Sequence, residues 1–117
     1  MIPYGRQEVT QDDIDSVVEV LKSDFLTQGP VVPAFESSIK KYCSVNYAIA
    51  SNSATSSLHA ACFALDVGPG DIVWTVSNTF VASSNCAIYC GASIDFVDID
   101  STSYNLSIAS LKKIIKS

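Results

Sequence analysis

Two short runs rich in β-branched and aromatic residues, Ile72-Val73-Trp74-Thr75-Val76 and Ile94-Asp95-Phe96-Val97, flank an apolar stretch that reads as a helix. That alternation narrows the fold more than any other feature. Parallel neighbours need a crossover of about a dozen or more residues, usually a helix, and the crossover closes right-handed. A third run, Tyr47-Ala48-Ile49-Ala50, has the continuous apolar character of a buried parallel strand. With the helices between them, the predicted order is α-α-β-α-β-α-β-α. This is the α/β class, a mostly parallel sheet with flanking helices.

The helices carry their own signals. Thr10 can cap a first helix, with Gln11, Asp12 and Asp13 at its positive end and Ile14, Val17, Val18 and Leu21 at helical spacing. Gly29-Pro30 is a strong stop, and Pro33 suits the first turn of a second helix reaching about Cys43. A third is expected over Ser53 to Leu65, and a largely apolar fourth over Thr79 to Tyr89, ended by Gly91. Val67-Gly68-Pro69-Gly70-Asp71 is a turn, and Ser107 can cap a last helix.

Composition removes several function classes. Seven basic and twelve acidic residues leave a net charge of −5, with none of the basic surplus that nucleic acid or an anionic membrane surface requires. The 48% hydrophobic and 16% charged content excludes a disordered tail. No apolar run approaches the about 18 residues of a membrane span, and Met1 to Gln7 is not a signal peptide. The four cysteines, at 43, 62, 86 and 90, contain no C-x-x-C pair and read as small buried apolar residues of a reducing cytoplasm. An open three-strand sheet this apolar has few layers to cover it, so the sequence is expected to be the front part of a longer chain, prone alone to aggregate or stay partly molten.

Two places could hold chemistry. Asn52-Ser53-Ala54-Thr55-Ser56-Ser57 follows a strand and opens a helix, where free N–H groups and the helix dipole favour an anion. Plain capping by Asn52 or Ser53 explains the same residues. It is neither a Walker loop nor a dinucleotide fingerprint, since G-K-[ST] and G-x-G-x-x-G are absent. Ser77-Asn78-Thr79-Phe80 follows the next strand, and Phe80 is either core or a platform for a planar ring. His59 reads as a packed histidine, and Asp95, Asp98 and Asp100 as a solvated strand end. The lysines at 22, 40, 41, 112, 113 and 116 fall in amphipathic helices or at their ends.

The string from Asn52 to Ala61, then Gly68-Pro69-Gly70-Asp71-Ile72-Val73-Trp74, then Thr79-Phe80-Val81-Ala82-Ser83, closely resembles the DegT-type sugar aminotransferases. These are pyridoxal-phosphate enzymes of the aspartate-aminotransferase fold. Gly91-Ala92 and Phe96-Val97-Asp98-Ile99-Asp100 match the family's third strand. Ile2 to Gln7 and Ser23 to Pro30 resemble a narrower branch, which acts on UDP-linked amino sugars of pseudaminic acid synthesis. The resemblance implies the front part of a fold type I large domain. Residues 1–32 would form an N-terminal arm, helix and loop, and 33–117 the start of the cofactor-binding domain. It also implies a homodimer and an amino group moved, with glutamate as donor, to C-4 of a UDP-linked 4-keto-6-deoxy sugar.

By position, the resemblance implies that Ser53, Ala54 and Thr55 hold the cofactor phosphate and that Phe80 stacks on the pyridine ring. It places Tyr4, Arg6, Thr27, Gln28 and Gly29 near the nucleotide sugar. Val76-Ser77-Asn78 stands where family members often carry a proline. The family's Schiff-base lysine and the acidic partner of the pyridine nitrogen are expected beyond residue 117, so these residues alone are expected not to turn over. Two rival readings are a catalytically dead binding module and a dehydratase of the same family.

Overall fold

The structure is a computed structural model that describes residues 5–115. Tyr4 and Lys116 lie outside the described residues. The elements are α1 (Gln11–Lys22), α2 (Val31–Cys43), α3 (Ala54–Ala64), β1 (Ile72–Val76), α4 (Ala82–Tyr89), β2 (Ser93–Val97) and α5 (Ile108–Ile114). They form two compact units divided between Ala50 and Ser51. No helix among the described residues is long and apolar enough to cross a membrane.

In the first unit, α1 opens with a reciprocal cap. The Asp13 amide donates to Thr10 Oγ1 at 3.3 Å, and the Thr10 amide donates back to Asp13 Oδ2 at 2.8 Å. The Thr10 amide, and then its hydroxyl, hold the Asp13 carboxyl below the usual carboxylate range. The helix stops at Ser23, whose hydroxyl donates to Val20 O at 2.8 Å, ahead of the Gly-Pro expected to break it. In the following loop Gln28 takes φ 55°, and a Cβ on Gly29 would lie 2.7 Å from Phe25 Cβ. None of the first unit's described residues is buried, so Cys43 is exposed rather than core as its residue type suggested.

The predicted strand at Tyr47–Ala50 is absent. Tyr47 is 85% and Ile49 88% exposed, and the Ala50 amide donates to Glu36 Oε1 at 2.8 Å. A strand exists through its ladder partner, and here a side chain takes the amide instead.

The second unit contains the strand–helix–strand heart. β1 and β2 pair in parallel with Ile72 beside Ser93 and Val76 beside Val97, giving two strands where three were expected. α4 connects them and packs on both strands and on α3. Its first turn begins three residues later than predicted. The Thr79 and Ser83 hydroxyls bond at 3.0 Å, and the Ser83 and Ser84 amides reach back only three residues, to Phe80 O and Val81 O. Its end is as predicted. Gly91, at φ 81°, lets its amide reach Ile88 O and the Ala92 amide reach Ala87 O, a Schellman cap. α3 ends on the same pattern with Asp66 at φ 57° in the glycine position. Gly68-Pro69-Gly70-Asp71 forms the expected turn, with the Asp71 amide on Gly68 O at 3.0 Å and Gly70 at φ 99°.

The core is small: Ala82, Cys86, Ala87, Ala92 and Val97, with Ser84 the buried polar member. Four of these six lie on α4, which explains why that helix is apolar and small-sided at once. Half-buried Cys62 has its thiol pushed up, first by burial and then by Cys86 and Cys90. That direction suits a packing residue rather than a nucleophile.

Ala87 is 0% exposed, so Ala87→Leu should overpack the contact and cost about 1–3 kcal/mol, read by chemical denaturation. The depressed Asp13 value gives α1 a stabilisation present above the unfolded carboxylate value and lost as pH falls through the lower folded one. The protection of the Asp13 amide against hydrogen exchange, corrected for the intrinsic pH dependence of the exchange itself, should fall over that acid interval, and Asp13→Asn should abolish that fall.

Candidate functional site

The first turn of α3 is built from residues 51–57. Ser53 adopts an extended backbone (φ −163°, ψ 157°) and caps the helix, its Oγ accepting from the Ser56 amide at 3.2 Å. Its carbonyl accepts from the Ser57 amide at 3.1 Å. The Ser57 bond is the first regular i−4 bond of the helix, and the Ser53 hydroxyl caps one of the amides that a helix start leaves over, that of Ser56. Those of Ala54 and Thr55 have no protein acceptor among the described residues.

Side chains tie this turn together. The Ser56 hydroxyl donates to Asn52 Oδ1 at 2.6 Å and lies 3.0 Å from Ser53 Oγ. The Ser51 and Ser57 hydroxyls bond at 2.5 Å, and Ser51 Oγ also donates to Ser53 O at 2.9 Å. Ala54 is exposed and Thr55 half-buried, so neighbouring protein does not close over the turn. Chemically, two amides without a protein acceptor, a threonine hydroxyl and the positive end of a helix dipole are a donor set that suits an anion.

Phe80 lies four residues beyond the carboxyl end of β1, just before α4, and is 73% exposed. That removes the core alternative for this residue within the described chain and leaves an open aromatic face. Arg6, Thr27, Gln28 and Gly29 belong to the first unit, and Gly29 alone of these is half-buried.

His59 on α3 is half-buried, with its ring 5.3 Å from that of Tyr89 at 59°. It lines a groove of about 700 Å³ with Phe63, Pro69, Tyr89 and others. The sequence named His59 as a packed residue but gave no sign of Tyr89 beside it, since that pairing depends on how α3 meets α4. Asp95 and Asp98 accept from the amides of Phe96 and Ile99, and Asp100 Oδ1 accepts from Thr102 and Ser103. These bonds, the Ser103 amide first, hold the Asp100 carboxyl below its usual range.

The sequence profile of the DegT/DnrJ/EryC1/StrS aminotransferase family matches residues 7–117. The chain belongs to that family. As a DegT-family chain it is 42% identical over 99 residues to the UDP-4-amino-4,6-dideoxy-N-acetyl-beta-L-altrosamine transaminase of Campylobacter jejuni, covering 85% of this chain and 26% of that protein. It is 39% identical to the GDP-perosamine synthase of Caulobacter vibrioides, over 86% of this chain and 28% of the relative. A Streptococcus pneumoniae protein assigned as a sugar aminotransferase, solved in its PLP form, superposes with TM-score 0.90 at 30% identity. That match covers 96% of this chain and 29% of that one. The DegT-family chain thus spans between a quarter and a third of the length of these relatives.

Ser53→Ala should remove the side-chain cap of α3 and cost about 1 kcal/mol, whereas Ser53→Gly should cost a few tenths, both read by denaturation.

Proposed function

We propose that the chain is the front part of a pyridoxal-phosphate aminotransferase that acts on a nucleotide sugar, and that its share of the work is to grip the cofactor. The observation that carries this reading is the pair of free amides at Ala54 and Thr55. A dianionic phosphate asks for that donor set: backbone N–H groups, a hydroxyl and a helix start, with small side chains that allow close approach. Ala54 and Thr55 would hold the phosphate, Ser53 would set the turn, and Phe80 would cover one face of the pyridine ring. When bound, the cofactor supplies an electron sink for the carbon that gains or loses the amino group.

The chain's own residues orient and shield. An aromatic lying on one ring face fixes the plane in which the ring sits and excludes water from that face. The Ser53 cap would hold the first turn of α3 in the form that meets the phosphate. Arg6, Tyr4 and the Thr27-Gln28-Gly29 loop would meet the sugar nucleotide, an arginine suiting its diphosphate. Residues 1–32 serve as an arm, and 33–117 open the cofactor-binding domain. The relatives' names support a UDP-linked 4-keto amino sugar as acceptor. Glutamate as donor, a homodimer and a cytoplasmic setting belong to the same proposal. The lysine that bears the cofactor would come from the parent protein outside these residues.

Equilibrium dialysis of the chain against pyridoxal 5′-phosphate and against pyridoxal tests the grip. The phosphorylated form should bind at least about tenfold more tightly, as expected for one or two hydrogen bonds to a charged group. Thr55→Val should erase most of that margin, and Phe80→Leu should weaken both ligands alike. Equal affinity for the two ligands would remove the phosphate reading.

A further inference from the structure

Ser56 makes three hydrogen bonds, one of them between its hydroxyl and that of Ser53 at 3.0 Å, and the other two are of different kinds. Its amide closes the ordinary cap on Ser53 Oγ, and its hydroxyl donates to Asn52 Oδ1 at 2.6 Å. The second bond bears on the amide next door. An Asn side-chain oxygen readily accepts from the backbone N–H two residues ahead, in an Asx turn. For Asn52 that N–H belongs to Ala54, one of the two donors left free at the start of α3. Asn52 is therefore the side chain best placed to plug the cradle from within the chain. Its Oδ1 instead takes the Ser56 hydroxyl, with Ser53 Oγ as a longer contact at 3.4 Å.

We propose that Ser56 is a positioning residue whose hydroxyl holds Asn52 off the Ala54 amide and so keeps the cradle open to a phosphate group. This rests on the phosphate reading above. A capping role alone needs only the Ser56 amide, which any residue supplies. The hydroxyl is in excess of capping, and its short bond to Asn52 is what the inference explains.

The test is a titration of the isotope-labelled chain with inorganic phosphate, read at the Ala54 and Thr55 amide resonances. Wild type should show saturable shifts at both. Ser56→Ala should weaken phosphate binding about fivefold, the effect of one competing neutral hydrogen bond. Adding Asn52→Ala to Ser56→Ala should restore affinity to within about twofold of wild type, the coupling a double-mutant cycle detects between contacting groups. Ser56→Thr, which keeps the hydroxyl, should bind as wild type does. Wild-type affinity in Ser56→Ala, or a double variant as weak as Ser56→Ala, would overturn the inference while leaving the cradle in place. A wild-type chain whose two amides ignore phosphate would overturn the cradle and the inference together.

Discussion

The first turn of an α-helix presents more N–H groups than it can satisfy, and the side chains around it decide which remain available. In α3 the Ser53 hydroxyl takes the Ser56 amide and the Ser53 carbonyl the Ser57 amide, and the amides of Ala54 and Thr55 have no acceptor among the described residues. The rest of the unit holds that arrangement still. α3 packs on α4, and α4 packs on both strands through Ala82, Ser84, Cys86 and Ala87. Among the described residues, Val97 at the end of β2 is the large side chain most fully buried, about 2% exposed. A small, close-packed core behind a polar turn is a sound mount for an anion, because preformed donors need no reorganisation when the charge arrives.

The parts of this fold that were legible in the sequence are those set by local chemistry. Thr10 and Ser107 cap where their residue type and position said they would, and of the two caps open for α3 it is Ser53 rather than Asn52 that takes the role. Gly91 ends α4, and β1 and β2 lie within one residue of their apolar runs. What failed was what depends on a distant partner. Tyr47–Ala50 has strand composition, but composition cannot supply a neighbouring edge, and Glu36 claimed the Ala50 amide. The apolar pattern of α4 began at Thr79, yet the hydroxyl pair of Thr79 and Ser83 delays the regular helix to Ala82. The four cysteines look alike in sequence, yet only Cys86 is buried as expected, Cys62 and Cys90 are half-buried, and Cys43 is exposed.

The candidate site divides in the same way. The helix start at Ser53, Ala54 and Thr55 was readable because a hydroxyl before a helix start has a short menu of partners. The Asn52–Ser56 bond was not, since Asn52 could equally have capped the helix itself. Only side-chain positions decide between those two uses of one carboxamide oxygen. Gln28 is a similar case. Nothing in Thr27-Gln28-Gly29 announces a left-handed glutamine, but the close approach of Gly29 to Phe25 shapes the loop around it.

The exposed apolar residues bear on the same turn. α3 carries Phe63 and Leu65, 74% and 77% exposed, near its far end, and its apolar positions are spread around the helix rather than along one stripe. A helix apolar on several sides is stable where several sides are covered, and α4 covers one. The chain's relatives are three to four times its length, so they have the material for further layers. An occupant of the cradle adds to α3's stability by mass action. A ligand that binds only the folded helix start contributes about 2.7 kcal/mol at a hundred times its dissociation constant. That is comparable with burying one large apolar side chain. In a unit with so few buried side chains, gripping a phosphate and keeping α3 folded would then be one equilibrium seen from two ends.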